Sequence, residues 1–341
     1  MDAVMTDDLL ARAAAELFAR HATPAAVRAI LEGGPADTLW AAVEESGFAD
    51  ALVPEAAGGA GLALAEVLPV LMAAGRAAAP LPLGETMLAR AALAGAGLEV
   101  PPGPIALAEA LPGEAPRGRI AAAGPAAWVL LPRPEGGAWL LPAEAATREE
   151  GSPYGAVLRW AAPGNARALP PADWLAAGAF ATLAGMAGAL ERMLEETVRY
   201  AGERRQFGRP IAAFQAVQQQ ISVMTEDVFA ARIAAQLAAL PGGAGVAGLD
   251  TARVAAAKAR IGEAASRAAG IAHAVHGAMG ITAEVDLHLW TGLLHQGRLR
   301  FGAEGHWNAW LGAAFLRGAE AESLAFVRAR LAPPPLEETT P

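Results

Sequence analysis

The segment that decides the fold is residues 200–224, which reads YAGERRQFGRPIAAFQAVQQQISVM. It begins in one long amphipathic helix, and Gly208 interrupts the pattern just before Pro210 leads into another. Glycine beyond a helix end and proline in a first helical turn are common signals of such a break. We therefore predict two long helices joined by a short elbow, with the second helix beginning at Pro210.

The elbow brings cations, an amide and an aromatic ring together, because Arg204 and Arg205 directly precede Gln206 and Phe207. Arginine can bind phosphate in a bidentate manner, so the set suits a planar cofactor that carries phosphate groups. The alternative is an ordinary helix hairpin whose arginines offset the negative end of the helix dipole. The spacing alone leaves both interpretations open.

A helical bundle is predicted after residue 171. Apolar residues recur at helical spacing from Asp173, which can cap the first long helix. Asp250 can cap a third helix in the same way, and Gly277 stands where that helix should end. A last helix is predicted from about residue 303 to residue 331. Long helices with short connections indicate an antiparallel bundle.

The middle of the chain has the pattern of a small β domain. Short apolar runs bounded by proline and glycine replace the helical spacing there. The candidate strands are Ile105–Leu107, Arg119–Ala122, Ala127–Leu131, Ala138–Leu141 and Ala156–Trp160. Their spacing predicts an antiparallel sheet or barrel. No GxGxxG segment joins a strand to a helix, which argues against a dinucleotide-binding fold.

The first part of the chain is predicted to be helical again, with Thr6 near the cap of a first helix that reaches about Arg20. The predicted fold is therefore mostly α with a small β domain. Its parts are an N-terminal α-helical domain (1–96), a middle β domain (97–170), a C-terminal helical bundle (171–331) and a disordered tail (332–341).

Composition excludes several classes of function. The 341 residues carry a net charge of -9, and no basic stripe indicates nucleic-acid binding. The absence of cysteine excludes disulfides and thiolate chemistry. No apolar stretch reaches the roughly 20 residues of a membrane span, and the acidic N-terminal segment lacks the charge of a signal peptide, so we expect a soluble cytoplasmic protein. His273 and His276 have no accompanying carboxylate, so we expect structural histidines and no metal.

Two segments carry a resemblance to a known family. The first is residues 204–215, RRQFGRPIAAFQ, and the second is residues 276–282, HGAMGIT, followed by Glu284. Together with the domain order and the earlier segment LVPEAAGG at 52–59, they resemble the acyl-CoA dehydrogenases. The resemblance implies an α-helical domain, a β-barrel domain and a four-helix bundle, and the FAD-dependent α,β-dehydrogenation of an acyl-CoA thioester.

The resemblance also implies roles for individual residues. Arg204 would meet the pyrophosphate of an FAD that belongs to a neighbouring subunit, and four further residues would surround its adenosine and phosphate region. These are Gln206, Phe207, Ile211 and Gln215. The implied partners are an acyl-CoA substrate, an electron-transfer flavoprotein, and a homo- or hetero-oligomer with another acyl-CoA dehydrogenase-like chain.

The sequence departs from the family pattern at the expected catalytic base. Phe301 falls at the usual position of the glutamate, and Gly178 falls at the alternative position on the first bundle helix. Glu304, one helical turn after Phe301, is the remaining candidate base, although it could equally complement the dipole of the last helix. Ala274 and Ala278 replace a glutamine and a glycine that are usual in the second segment.

The β domain departs as well, because the Gly-Ser-Asp turn that holds flavin and substrate in the family is absent and the barrel is predicted to be trimmed. The pattern resembles the short members that pair with a second chain in steroid degradation.

Three hypotheses follow. The chain is an acyl-CoA dehydrogenase or a subunit of one, a catalytically silent subunit that completes a partner's flavin pocket or acts structurally, or a flavin-free helical binding protein.

Overall fold

The computed structural model describes residues 2–121, 125–152, 155–164, 166–240, 245–320 and 322–332. Residues 333–341, which make up nearly all of the predicted tail, lie outside this part of the chain. The described residues form a mostly helical protein with a small β region between two helical regions, which confirms the predicted fold class. The division after residues 96 and 170 into separate domains is retained as a proposal.

Five helices form the N-terminal region: α1 (Asp2–His21), α2 (Pro24–Leu31), α3 (Asp37–Glu45), α4 (Leu64–Arg76) and α5 (Leu83–Gly95). The first helix begins before the predicted cap at Thr6, so that cap position is wrong. The sequence prediction missed α2, which is short and follows α1 after only two residues. The Thr23 side chain accepts a hydrogen bond from the Ala26 N–H at 3.3 Å, and Pro24 occupies the first turn.

Two four-stranded sheets follow. Their strands are β1 (Ile105–Leu107), β2 (Glu109–Ala110), β3 (Arg117–Ile120), β4 (Trp128–Pro132), β5 (Ala138–Pro142), β6 (Thr147–Ser152), β7 (Gly155–Arg159) and β8 (Arg167–Leu169). The sheet orders are β1-β4-β5-β8 and β2-β3-β7-β6. Side chains such as Ile120, Val129 and Trp160 are buried together in a core of their own. The sequence missed β2, β6 and β8 because these strands are short or polar.

The prediction of purely antiparallel pairing is wrong at one place, because β1 pairs with β4 in parallel. The chain leaves the first sheet after β1, forms β2 and β3 in the second sheet, and returns at β4. A crossover of this kind brings the chain back in its original direction, as parallel pairing requires.

The C-terminal region contains α6 (Trp174–Glu203), α7 (Gln215–Ala238), α8 (Thr251–His276), α9 (Leu287–Leu299), α10 (Glu304–Arg317) and α11 (Ser323–Arg330). Two predicted caps are present. Asp173 accepts from the Ala176 N–H at 2.9 Å, and Asp250 accepts from the Ala252 N–H at 2.9 Å. The single predicted last helix is wrong, because the chain leaves helical geometry between α10 and α11, at Gly318.

Helix α6 is the centre of the bundle. It is long and apolar enough to cross a membrane by composition, but 72% of its apolar window is buried inside the protein. Its buried face includes Phe180, Leu183, Met186 and Leu190. Burial of this kind is what the core helix of a bundle requires.

The N-terminal region meets the bundle where α4 crosses α6 with no room for side chains. A Cβ atom on Gly75 would lie 1.9 Å from the Gly185 carbonyl oxygen, and one on Gly188 would lie 1.9 Å from the Met72 carbonyl oxygen. Both contacts are with backbone atoms, which cannot move aside without shifting a helix. Glycine therefore fixes the distance between the two regions.

Replacing a glycine at this crossing should destabilise the protein. We expect Gly188→Ala to lower the free energy of unfolding by roughly 1–3 kcal/mol, because the added methyl group forces α4 and α6 apart. Gly270→Ala, where a Cβ would meet no atom within 4 Å, is the matched control and should leave stability equal or slightly higher. Denaturant unfolding of both variants measures the effect, and equal stabilities would refute the proposed constraint.

Candidate functional site

The predicted elbow is a β-hairpin with a two-residue turn. β9 (Arg205–Gln206) pairs with β10 (Arg209–Pro210), and Phe207 and Gly208 form the turn with φ angles of 50° and 79°. Two positive φ angles in succession match the twist that a tight hairpin needs. The predicted helix start at Pro210 is wrong, because Pro210 belongs to β10 and α7 begins at Gln215.

An aromatic and cationic cluster forms the outer face of the hairpin. The Phe207 ring is 90% exposed and meets Phe214 edge to face, with 6.1 Å between the ring centroids. The Arg209 guanidinium lies over the Phe214 ring, 4.2 Å from its centroid. A non-glycine residue at positive φ stores strain of about 1–3 kcal/mol, and here it presents an apolar ring to solvent. Within the part of the chain that the structure describes, the Phe207 ring has an aromatic contact with Phe214 and is otherwise open to solvent.

The residues assigned to flavin contact lie along this one surface. Arg204, Gln206, Phe207 and Gln215 are exposed, and Ile211 is half-buried. The Ile211 N–H donates to the Arg204 carbonyl at 2.8 Å, which closes the base of the hairpin. Cations beside an exposed aromatic ring fit the phosphates and the planar ring of a cofactor held by another molecule. Their contact with flavin stays a prediction.

The β region is poor in serine and threonine, whose hydroxyl groups often bind cofactors. Between residues 97 and 170, serine and threonine occur only at Thr147 and Ser152. Thr147 is exposed in β6. Few hydroxyl groups are therefore available in this region to bind phosphate or flavin oxygen atoms.

The second family segment begins at the end of α8. Gly277 ends the helix with a φ of 59°, and residues 277–281 form a 3-10 turn. Tyr200, in the last turn of α6, lies against His276 at the end of α8. Within the described part of the chain, no group of three residues has the arrangement of a metal site.

An apolar cleft of about 170 Å³ lies between the N-terminal region and the bundle. Its walls come from α4, the turn before α5, α6 and α9, and small residues such as Gly75, Ala181 and Gly185 leave its space open. Of the small α6 residues Ala179, Ala184 and Gly185, Gly185 lines the cleft, whereas Ala179 and Ala184 are buried in the bundle core.

One end of the cleft carries a buried ion pair. The Arg300 Nη1 donates to the Glu85 Oε1 at 2.9 Å, and the Leu107 N–H donates to the Glu85 Oε2 at 2.6 Å. Among the described residues that line the cleft, Glu85 is the one carboxylate. Both of its oxygen atoms are occupied, so Glu85 ties α5 to β1 and to the segment after α9. Sequence reasoning missed this pair, because nothing in the spacing relates residue 85 to residue 300.

Gly178 and Phe301, the two positions at which the resemblance places a catalytic base, are in contact with each other. A Cβ on Gly178 would lie 2.4 Å from ring atoms of Phe301, so the phenyl ring packs directly on the glycine. Phe301 is 2% exposed and has a φ of 50°. Its N–H donates to the Glu109 Oε1 at 2.8 Å. An apolar ring therefore fills the space between the two positions.

The side chain of Glu304 is held by contacts with neighbouring residues of the bundle. It begins α10, accepts a hydrogen bond from the Arg298 Nε, and packs against Gly262, where a Cβ would lie 2.5 Å from its Oε1. It is not among the residues that line the cleft. Its role as the base stays a prediction, and this geometry favours the alternative, an acid at a helix N-terminus.

Lys258 holds the segment that contains Phe301. Its buried Nζ donates to the carbonyl oxygens of Arg298 and Gly302, both at 3.0 Å. Burial lowers the pKa of Lys258 to about 8, against the opposing effect of Glu304 and Glu109. The ammonium group thus satisfies one carbonyl group in the last turn of α9 and one in the segment that follows.

The lowered pKa of Lys258 predicts a pH dependence of stability. Between about pH 8 and pH 10.5, the unfolded chain binds a proton at Lys258 that the folded chain does not. This contribution to the free energy of unfolding therefore rises with pH in that window. We expect Lys258→Met to remove it, as measured by denaturant unfolding at several pH values. Equal slopes in both proteins would contradict the assignment.

Known proteins resemble this chain over most of its length. Residues 172–296 match the family "Acyl-CoA dehydrogenase, C-terminal domain". Acyl-CoA dehydrogenase IpdE2 of Mycobacterium tuberculosis is 34% identical over 306 residues, and the match covers 83% of this chain and 88% of that protein. Acyl-CoA dehydrogenase FadE27 of the same organism is 32% identical over 240 residues, covering 57% of this chain and 64% of that protein.

Solved structures share the fold over nearly the whole chain. The Tcur3481–Tcur3483 steroid ACAD G363A variant superposes with a TM-score of 0.78 at 27% identity and covers 93% of this chain and 99% of that one. The ChsE4–ChsE5 complex of Mycobacterium tuberculosis has a TM-score of 0.79 at 22% identity and covers 92% and 98%, respectively. The length and identity of the match to IpdE2 establish that this chain belongs to the acyl-CoA dehydrogenase family.

Proposed function

We propose that this chain is one subunit of a heteromeric, FAD-dependent acyl-CoA dehydrogenase, in which its elbow completes a flavin pocket held mainly by a partner chain. The observation that carries the proposal is a contrast between two sites. The elbow is exposed and cationic, whereas Phe301 and Gly178, the two positions at which the resemblance places a catalytic base, carry no carboxylate and pack on each other outside the residues that line the cleft.

The elbow residues provide binding and orientation. Arg204 supplies a guanidinium for the pyrophosphate, and Phe207 supplies an apolar ring, with Gln206, Ile211 and Gln215 around the adenosine. The hairpin fixes the backbone that carries Gln206 and Phe207 before binding, so little backbone entropy is lost there when the partner arrives. When bound, FAD supplies the acceptor for the β-hydride of the acyl group.

Removal of the α-proton is assigned to the partner. A base for that step needs a carboxylate in a dry site beside the thioester. In the cleft of this chain, Glu85 is bound to Arg300 and to the Leu107 N–H, and Glu304 is paired outside the cleft. The geometry therefore favours a chain whose own cleft is catalytically silent over one that forms a self-sufficient enzyme.

The relatives support a heteromer and a class of substrate. The Tcur3481–Tcur3483 protein is described as a steroid ACAD, and ChsE4–ChsE5 is described as a complex. By analogy, we propose that the assembled enzyme acts in the cytoplasm on an acyl-CoA from lipid or steroid breakdown. An electron-transfer flavoprotein is the electron acceptor that the family implies.

The decisive experiment is co-purification. The chain is expressed alone and together with an acyl-CoA dehydrogenase-like chain of the same organism, and the flavin absorbance and chain stoichiometry are measured. We expect stoichiometric FAD only in the hetero-oligomer. A homo-oligomer of this chain with one FAD per subunit would overturn the proposal.

The same complex tests the contact of Arg204 with flavin. We expect Arg204→Gln to raise the dissociation constant for FAD roughly tenfold to a hundredfold, because a charge-assisted hydrogen bond contributes about 1.5–3 kcal/mol. Flavin fluorescence on release gives the dissociation constant. Arg12→Gln, at an exposed arginine of α1, is the matched control and should bind FAD normally. Unchanged binding by Arg204→Gln would exclude the contact.

The role of Glu304 is tested by Glu304→Gln. We expect the melting temperature to fall, because the charged contact with Arg298 is lost, while the dehydrogenation rate per bound flavin stays the same. Both quantities are measured on the complex. A rate that falls by a factor of a hundred or more, with FAD still bound, would identify Glu304 as the base after all.

A further inference from the structure

The two family segments are joined by a contact between one residue pair. The Tyr200 ring stacks on the His276 ring, with centroids 4.3 Å apart and an angle of 23° between the planes. The Tyr200 hydroxyl donates to the His276 carbonyl oxygen at 3.2 Å. Each residue lies beside or within a family segment, because Tyr200 lies one helical turn before Arg204 and His276 is the first residue of the segment 276–282.

This contact satisfies a helix terminus. The last carbonyl groups of a helix have no partner within the helix, and α8 ends at His276. The Tyr200 hydroxyl provides such a partner from a different helix. At the same residue, the Tyr200 carbonyl accepts from the Arg204 N–H at 2.8 Å, which ends α6. Tyr200 therefore helps to fix the last turn of α6 and the last turn of α8 at once.

The His276 ring is held in one orientation. Its Nδ1 lies 2.8 Å from the Ala272 carbonyl oxygen, so Nδ1 carries the proton and donates. His276 is 5% exposed, and burial lowers its pKa despite the hydrogen bond to Ala272. An uncharged, oriented imidazole presents a flat face to Tyr200.

Charged groups surround this pair on several elements but leave the imidazole neutral. His273 on α8 and Arg199 on α6 disfavour a proton on His276, whereas Glu196 on α6 favours one. The adjoining cavity also contains Arg192 and, before α9, the acidic residues Glu284 and Asp286. Nothing in this set replaces the stacking or the hydroxyl contact.

We propose that Tyr200 and His276 are positioning residues that hold the elbow (204–215) and residues 277–282 together as one surface for the flavin of the partner chain. The inference rests on the proposed function for the flavin, but the contact itself is a property of this chain alone. Loss of the hydroxyl bond would free the end of α8 and let the two segments move independently, without unfolding the bundle.

Hydrogen–deuterium exchange of the full chain, without partner or flavin, tests the contact. We expect Tyr200→Phe to speed exchange at residues 277–282 roughly threefold to tenfold, since one hydrogen bond contributes about 0.5–1.5 kcal/mol. Thr197→Val is the matched control. It removes a hydroxyl bond of the same helix, to the Met193 carbonyl, and should leave that exchange unchanged. Unchanged exchange in Tyr200→Phe, or equal acceleration in both variants, would overturn the proposal.

The FAD dissociation constant of the hetero-oligomer tests the consequence. We expect Tyr200→Phe to weaken FAD binding roughly threefold to tenfold while the melting temperature of the flavin-free protein falls by no more than about 4 °C. Tyr200→Leu, which also removes the stacking, should weaken FAD binding further. Normal FAD affinity in both variants would overturn the positioning role. If Arg204→Gln weakens FAD and these variants do not, this inference alone fails. If Arg204→Gln has no effect either, the proposed function fails as well.

Discussion

The crossing of α4 over α6 is the constraint on which the rest of the structure depends. At Gly75 and Gly188 the two helices approach until backbone touches backbone, which no other residue type permits. The crossing fixes the N-terminal helices against the bundle, and the cleft lies directly beside it, with Gly75 and Gly185 in its wall. The separation of α4 and α6 at one wall of the cleft is therefore set by contact between backbone atoms.

The segment after α9 shows how charged residues maintain an apolar arrangement. Phe301 is strained and fully packed, and the atoms around it are held by Lys258, Glu109 and the ion pair between Arg300 and Glu85. Buried charges are tolerated here because each has partners. The result is a packed segment that carries a phenyl ring at the position where the resemblance implies a carboxylate. In the proposed function, this segment keeps the fold of the chain while the partner supplies the base.

At the elbow, by contrast, the residue with a strained backbone, Phe207, is exposed to solvent. Phe207 combines a positive φ with 90% exposure, a combination that costs stability in the isolated chain. A partner surface that covers the ring would recover that cost, and the arginines beside it would then select a partner that carries phosphate groups. The exposed elbow and the phenyl ring packed on Gly178 thus support the same proposal, a subunit that acts on its neighbour's cofactor.

The sequence by itself determined the fold class, the long helices and the family. Caps at Asp173 and Asp250 and the helical spacing of apolar residues are local signals, and local signals can be read from neighbouring residues. The elbow, too, is visible in the sequence as a motif. The predicted start of α7 at Pro210 is five residues too early, because Pro210 pairs with Arg205 in a hairpin and α7 begins at Gln215. Contacts between residues far apart in the chain are visible only in the folded protein. They are the parallel pairing of β1 with β4, the contact of Gly178 with Phe301, the ion pair of Glu85 with Arg300, and the stacking of Tyr200 on His276. These contacts join segments separated by many residues, and no periodicity along the chain encodes which of them meet.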